Sequence, residues 1–141
     1  MTSPAAHTLI RRIQFADTDA AGVAHFSRLL VMVEEAEHDF LRSHQIPILT
    51  ETSAWPCVSL EVSYVGMCKF GDDITIELRI LKVGTSSVTY EFLATLNGSP
   101  QASPVFSGKM VKCHILPRQL GAVPIPESIR DVLARFLSQE T

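Results

Sequence analysis

The sequence predicts an α+β domain in which one antiparallel sheet of about five strands packs over one long helix. Early in the chain, apolar residues recur at spacings of three and four over a long stretch, which is typical of a helix with one buried face. Four later stretches alternate apolar and polar residues, as strands do. The segments between these stretches are short, which favours antiparallel neighbours over crossover helices.

The predicted long helix runs from about His25 to His44, after a predicted strand at residues 8–15 and a loop at residues 16–24. Pro47 lies beyond its predicted end and is a helix-stop signal. The apolar residues of this helix form one stripe and are the predicted core: Phe26, Leu29, Leu30, Val33, Ala36, Phe40 and Leu41.

The four predicted strands that follow cover residues 58–64, 74–80, 88–96 and 105–116. Residues 117–126 hold three prolines and a glycine and predict an irregular connector, and residues 127–138 predict a closing amphipathic helix. One sheet face should be half polar, and the sheet edges should be free to pair with a second copy of the chain. We therefore expect a homo-oligomer.

Composition bounds the class of protein. The 141 residues suit a single domain, 1–141, and 46% hydrophobic with 19% charged residues provide material for a core. The formal net charge of −3 leaves no positive excess for nucleic acid. Charged residues interrupt every apolar run before membrane-spanning length, and residues 1–7 do not resemble a secretory signal, so we expect a cytoplasmic protein. The three cysteines have neither zinc nor disulfide-framework spacing.

The predicted chemistry lies in the acidic loop before the long helix. Asp17 and Asp19 precede a helix start, where backbone N–H groups lack intrahelical partners and the macrodipole is positive. Gly22 allows a tight turn and close approach of a substrate. A carboxylate facing free N–H donors could attack a carbonyl while the amides hold the oxyanion. The alternative is that one acid simply caps the helix. The loop lacks the further oxygen ligands of a metal site, so no metal is expected.

The segment from Phe15 to Leu29, FADTDAAGVAHFSRL, resembles the hotdog-fold acyl-CoA thioesterases, nearest to the 4-hydroxybenzoyl-CoA thioesterase group. That group includes short-chain acyl-CoA, Tol–Pal-associated and 1,4-dihydroxy-2-naphthoyl-CoA thioesterases. The likeness continues in order through five shorter pieces and covers nearly the whole chain. They are Glu34-Glu35-Ala36, Val62-Ser63-Tyr64, Gly71-Asp72-Asp73-Ile74-Thr75-Ile76, Val83-Gly84-Thr85-Ser86-Ser87-Val88 and Val123-Pro124-Ile125-Pro126.

The resemblance implies a hotdog fold and a dimer whose two sheets join edge to edge. Such dimers often pair into a tetramer, and the active sites lie at the dimer interface. It implies that Asp19 is the catalytic nucleophile or general base and that Asp17 shapes the loop. The thioester carbonyl would lie against backbone N–H groups at the helix start, near Gly22, His25 and Phe26. No cofactor is implied, since coenzyme A belongs to the substrate.

Other side chains near this loop carry open alternatives. Glu37 falls within the apolar stripe and Glu34 at its edge, so either could assist the reaction or contact the acyl group, or simply belong to a polar network or a subunit interface. His25 could orient Asp19 or substrate, or be a surface residue of the first turn. Phe26 is expected to shape the acyl pocket or to pack into the core.

Coenzyme A carries phosphates, which cations and hydroxyl groups bind. The expected binding residues are Ser86 and Ser87 in the turn that resembles the family's nucleotide-binding segment, with Lys82 and Arg118. Lys69, Lys109 and Lys112 are further cationic candidates. Relatives often carry basic residues where this chain has Gln119-Leu120-Gly121-Ala122, a departure that leaves an acyl-carrier-protein substrate open.

The predicted function is therefore hydrolysis of an acyl-CoA thioester to free acid and coenzyme A. A pocket for an aromatic or short branched acyl group is suggested by Trp55, Pro56, Tyr64 and Phe26. Of these acyl groups, we favour a cyclic aromatic one. Two alternatives remain: a thioesterase acting on acyl carrier protein, and a non-catalytic acyl-CoA-binding module.

Overall fold

The computed structural model describes residues 6–97, 103–119 and 121–138, and Leu120 of the predicted connector lies outside them. The predicted order of elements is confirmed. The elements are β1 (His7–Arg12), a short 3-10 turn (Phe15–Asp17), α1 (Phe26–Ser43), β2 (Cys57–Tyr64), β3 (Asp73–Val83), β4 (Ser87–Leu96), β5 (Ser103–Cys113) and α2 (Glu127–Ala134). In the described ranges, neither helix combines the length and apolar character that a bilayer crossing requires.

The five strands form one antiparallel sheet in the order β1-β3-β4-β5-β2. Strands β1 and β2 are therefore the two edges. Every second residue is buried from Ile74 to Ile80 in β3 and from Val88 to Ala94 in β4, because those side chains face α1 while their neighbours face outward. The sheet thus has an inner face against the helix and a polar outer face, as the alternation predicts.

Helix α1 buries most of the predicted apolar stripe against the inner face. Leu29, Val33, Ala36, Phe40 and Leu41 are buried there. Burying each large side chain of this kind contributes about 1.5–3 kcal/mol, so this stripe accounts for much of the helix's attachment. Two members depart from the prediction: Leu30 is only half-buried and Phe26 is 58% exposed. Phe26 therefore belongs to the open side of the fold.

One ion pair crosses the core between α1 and β5. Glu37 is fully buried, and Lys112 Nζ donates to its Oε1 at 2.9 Å. Burial raises the pKa of Glu37, and the Lys112 charge acts in the opposite direction. Among the described residues, no group donates to the second carboxylate oxygen. The pair engages Lys112, so it is not one of the free cations that the sequence suggested for phosphate binding.

Close contact between β5 and edge strand β2 depends on Gly108. It stands opposite Phe92 of β4 and Val62 of β2 on the inner face. A Cβ added at Gly108 would collide with the backbone carbonyl of Glu61 and come within 2.8 Å of the Phe92 ring. The missing side chain makes room for that ring and keeps β2 in register.

We predict that Gly108→Ala lowers the free energy of unfolding by about 1–3 kcal/mol, because backbone must move to admit the methyl group. Urea denaturation followed by fluorescence of Trp55 measures this. Ser107→Ala is the matched control, since Ser107 lies one residue away on the outer face. Equal stability of the two variants would contradict the close-packing account.

Candidate active site

Asp17 is a buried anion between two guanidinium groups. Its side chain is 1% exposed. Arg11 of β1 donates to Oδ2 at 2.7 Å, and Arg28 of α1 donates to Oδ1 through Nε at 3.1 Å and Nη2 at 3.0 Å. The backbone N–H of Gln14 also donates to Oδ2 at 2.7 Å. Arg11 in turn binds Glu35 of α1 at 2.8 Å, so one network joins β1, the loop and the helix.

The ionised form of Asp17 prevails despite its burial. Burial by itself raises the pKa of this carboxyl, but the hydrogen bonds from Arg11, Gln14 and Arg28 outweigh it and leave the pKa below the ordinary value of 3.8. The backbone carbonyl of Asp17 accepts the His25 N–H at 2.9 Å. Asp17 therefore joins the entrance of the loop to its exit, as a residue that shapes the loop.

Asp19 lies exposed inside that loop. Its Oδ1 accepts backbone N–H groups from Ala21 at 2.9 Å and Val23 at 3.3 Å. Gly22 takes a φ of +77°, which the turn requires and which glycine adopts without strain. Within the described part of the chain, no group donates to Oδ2 of Asp19. One carboxylate oxygen is thus fixed by the backbone and the other is available to a substrate or a water.

The start of α1 lies beside this loop, because Thr18 pairs with Ala24 in a short antiparallel bridge. The N-cap is His25, whose Nδ1 accepts the Ser27 N–H at 3.3 Å, so the alternative that Asp17 or Asp19 caps the helix is wrong. None of the hydrogen bonds among residues 6–97, 103–119 and 121–138 uses the Phe26 N–H or joins His25 to Asp19. The Phe26 N–H is therefore a free donor at the positive end of the helix.

Exposed apolar side chains surround this helix start. The rings of Phe26 and Tyr64 are 6.2 Å apart, and those of Phe15 and Phe70 are 6.1 Å apart, both edge to face. These four, with Val65 and Met67, are between 43% and 78% exposed. A group of exposed apolar side chains of this kind marks a binding or interface surface. These apolar side chains lie near the accessible Asp19 carboxylate and the unpaired Phe26 N–H.

Comparison with known proteins assigns the chain to a family. A model described as the thioesterase superfamily matches residues 21–99. The chain belongs to the thioesterase superfamily. It is accordingly a thioester hydrolase, and that prediction is confirmed.

Several relatives carry a specific name. A 1,4-dihydroxy-2-naphthoyl-CoA hydrolase of Synechococcus elongatus is 28% identical over 128 residues, which are 87% of this chain and 91% of that protein. Another from Nostoc punctiforme is 34% identical over 90 residues, 60% of this chain and 61% of its own.

Solved structures share the fold. A 1,4-dihydroxy-2-naphthoyl-CoA thioesterase from Synechocystis superposes with a TM-score of 0.82 at 21% identity, covering 91% of this chain and 95% of its own. A protein of Pseudomonas aeruginosa gives 0.86 at 24% identity, covering 98% and 96%. These likenesses confirm the predicted hotdog fold.

The glutamates of this thioesterase's long helix lie in different surroundings from Asp19. Glu34 is exposed, and Glu35 is bound to Arg11. Glu37 lies in the core beside Lys112, away from solvent. Asp39 is exposed and its Oδ2 lies 2.7 Å from His7 Nε2. Unlike the three glutamates, Asp19 combines exposure with a fixed orientation, and Glu34 stays a prediction as a substrate contact.

The residues expected to bind coenzyme A lie at the opposite end of the sheet from Asp19. Ser86 and Ser87 follow β3, whose 11 residues span about 33 Å, whereas the Asp19 loop adjoins its first residues. Lys82 and Arg118 are exposed near that same far end, where His114 N–H donates to the Ser86 carbonyl at 2.7 Å. Within one chain, Asp19 and the residues expected to bind coenzyme A are therefore far apart.

Sequence reasoning did not single out Arg11, Arg28 or Arg130. Arg130 of α2 donates to the carbonyls of Gly84 at 2.6 Å and Thr85 at 2.8 Å and so holds the far turn. A signal for Arg28 existed: a cation in the first turn of a helix opposes the macrodipole unless an acid pairs with it.

We predict that Asp17→Asn lowers the free energy of unfolding by about 2–3 kcal/mol at neutral pH, since it removes the anion between two guanidiniums. Because the pKa of Asp17 is lowered on folding, its contribution is complete above pH 3.8 and declines as pH falls through the folded value. The gap between wild type and variant should therefore shrink below pH 4.

Urea denaturation at several pH values measures this gap. The matched control is Asp73→Asn, which breaks an accessible pair with Arg12 and should change stability little at any pH. A gap at Asp17 that stays constant down to pH 2, or one no larger than the control's, would refute the buried-anion account.

Proposed function

We propose that this thioesterase hydrolyses acyl-CoA thioesters with Asp19 as the catalytic carboxylate and the Phe26 N–H as the carbonyl-polarising donor. The observation that carries the proposal is the state of Asp19: Oδ1 is fixed by two backbone N–H groups and Oδ2 is free in an exposed loop. A carboxylate held in one orientation beside a free donor at a helix N-terminus suits acyl transfer.

Asp19 and the Phe26 N–H could cleave the thioester by two routes. Asp19 attacks the carbonyl carbon and expels the coenzyme A thiolate, forming an anhydride that water then hydrolyses. Alternatively, Asp19 takes a proton from a water that attacks the carbonyl directly. In either route the Phe26 N–H stabilises the oxyanion, and the products are the free acid and the coenzyme A thiol. That no cofactor takes part stays a prediction.

A second copy of the chain accounts for the separation of Asp19 from the coenzyme A residues. Strand β2 is an edge, and it carries exposed Val58, Leu60 and Tyr64. Antiparallel pairing of two β2 edges reverses one copy, so its Ser86 end comes to the Asp19 end of the other. We therefore propose a homodimer with composite sites, in which the apolar patch around Phe26 and Tyr64 is partly covered.

The proposed acyl group is a fused-ring aromatic. Curated relatives are named 1,4-dihydroxy-2-naphthoyl-CoA hydrolases, and rings already line the helix start here. Phe15, Phe26, Tyr64 and Phe70 offer edges and faces to a planar acyl group. Short-chain acyl groups and acyl-carrier-protein thioesters are the alternative substrates. The carrier-protein alternative rests on the small number of basic residues for binding phosphate, since Arg118 is the one basic residue in the segment 117–122. A cytoplasmic location likewise stays a prediction.

We predict that Asp19→Asn lowers kcat by about 10²–10⁴-fold, because asparagine is a poor nucleophile and base at the same position. Asparagine retains the Oδ1 acceptor for the Ala21 N–H, so the melting temperature should hardly change. Release of thiol from naphthoyl-, benzoyl-, short- and long-chain acyl-CoAs measures the rate. Asp131→Asn, an exposed acid on α2, is the matched control.

Three outcomes would each overturn a part of the proposal, once a carrier-protein thioester and a measurement of acyl-CoA binding are added to this panel. Undiminished turnover in Asp19→Asn would remove Asp19 from the mechanism while leaving the thioesterase activity intact. Turnover of a carrier-protein thioester alone would replace the coenzyme A substrate. Tight binding of acyl-CoA without turnover by the wild type would favour the binding-module alternative.

A further inference from the structure

A buried serine and a buried histidine form a hydrogen-bonded pair near Ser86, at the end of the sheet away from the Asp19 loop. Ser53 lies in the segment between α1 and β2, and His114 directly follows β5. Ser53 Oγ and His114 Nε2 are 2.9 Å apart, and the two residues are 2% and 1% exposed. The His114 N–H donates to the Ser86 carbonyl at 2.7 Å. The pair takes no part in the acidic loop or in the Asp17 network.

The backbone determines which nitrogen of the neutral His114 ring carries the proton. His114 Nδ1 lies 3.2 Å from the carbonyl oxygen of Val123. A carbonyl oxygen can only accept a hydrogen bond, so the proton is on Nδ1 and the lone pair is on Nε2. The Ser53 hydroxyl therefore donates to His114 Nε2. The Val123 N–H also donates to the His114 carbonyl at 2.9 Å, which holds the residue in this orientation.

This order of groups is the one that activates a serine. A hydroxyl donates to one imidazole nitrogen, and a third group holds the N–H of the other. Here the third group is a carbonyl oxygen, which orients the ring without adding a charge. The Trp55 ring lies beside the imidazole with 4.8 Å between ring centroids and shields it from water.

The backbone of Ser53 adds a donor for a developing negative charge. Within the described segments, no group accepts the Ser53 N–H. This N–H belongs to the same residue as the hydroxyl, so a carbonyl carbon attacked by Oγ has its oxygen near a free donor. Serine hydrolases use the N–H of the nucleophile in the same way.

The Ser53 hydroxyl can be reached from an open depression of about 410 Å³ between the end of α1, the segment that follows it and the start of α2. Ser53 is one of its lining residues, whereas His114 is not, so the imidazole lies behind the serine. This volume is typical of small-molecule sites. The apolar part of the lining consists of Ile46, Pro47, Pro126, Ile129 and Val132.

We propose that Ser53 and His114 form a second reactive site, at which Ser53 takes the acyl group from a short-chain ester of a phenol. Ser53 Oγ attacks the ester carbonyl carbon while its proton passes to His114 Nε2, and the phenol leaves with that proton. Water then attacks the acyl-serine, and His114 passes the water's proton back to Ser53 Oγ as the free acid departs. One donor for the oxyanion gives limited stabilisation, so the leaving group has to be as good as a phenolate.

The wild-type protein with p-nitrophenyl acetate provides the direct test. We expect a burst of one p-nitrophenolate per chain, and peptide mapping by mass spectrometry should place the acetyl group on Ser53. Asp19→Asn should show the same burst, because the pair does not use the acidic loop. The result is therefore separable from the success or failure of the thioester mechanism.

Three serine variants distinguish a nucleophile from a serine that only anchors its segment. Ser53→Ala should lose the burst, and Ser53→Cys should keep it, because a thiol at the same position also donates to His114 and attacks esters. Ser43→Ala is the matched control, since Ser43 Oγ donates to the Asp39 carbonyl at 2.7 Å and has no histidine partner. Far-ultraviolet circular dichroism checks that each variant folds.

The outcomes that would overturn the proposal are equally specific. They are an acetyl group found on other residues but not on Ser53, no burst in the wild type, a burst that persists in Ser53→Ala, and a burst lost in Asp19→Asn. The position of the acetyl group in the wild type decides the question even if Ser53→Ala does not fold.

Discussion

The Asp17 carboxylate lies between guanidinium groups that belong to different parts of the fold, Arg11 on edge strand β1 and Arg28 in the first turn of α1. Its backbone carbonyl also receives the N–H of the helix cap, His25. A buried anion with this many donors tolerates little displacement, because losing any one leaves charge unmatched in a medium of low polarity. The sheet edge, the loop and the helix start are therefore held in one arrangement.

That arrangement determines what the loop can present. With its two ends fixed, the chain between Thr18 and Ala24 closes into a turn in which Gly22 takes a positive φ and Asp19 receives two backbone N–H groups. Asp17 and Asp19, although only two residues apart, have opposite roles. Both carboxylate oxygens of Asp17 accept hydrogen bonds that hold the fold together, whereas Asp19 keeps one oxygen free. The division follows from burial and hydrogen bonding rather than from residue type.

The period of α1 and the alternation of β3 and β4 were predictable, since each element buries one face and its apolar spacing records that face. The register of β1 was not. Leu9 and Ile10 are both apolar and Arg11 and Arg12 are both basic, so either alternation fits the sequence; only pairing with β3 turns Leu9 and Arg11 toward α1 and leaves Ile10 66% exposed. The Asp17 network depends on that register and was therefore hidden.

Phe26 shows a related limit. It has the spacing of a core residue, but it begins the helix where the sheet no longer covers it, and its ring meets Tyr64 on the open side instead. The resemblance points to Asp19 as the catalytic carboxylate. The structure adds its surroundings: an exposed loop in which two backbone N–H groups hold one carboxylate oxygen. The separation of the Ser86 turn from Asp19 became visible only with the strand lengths in place.

A crystal structure of Asp19→Asn with an uncleaved aromatic acyl-CoA bound would test the central claim most directly. We predict that the thioester carbonyl oxygen lies within hydrogen-bonding distance, about 3 Å, of the Phe26 nitrogen, with the carbonyl carbon facing the side chain of residue 19. A thioester bound with its carbonyl away from the α1 N-terminus, for example beside Glu34, would contradict it.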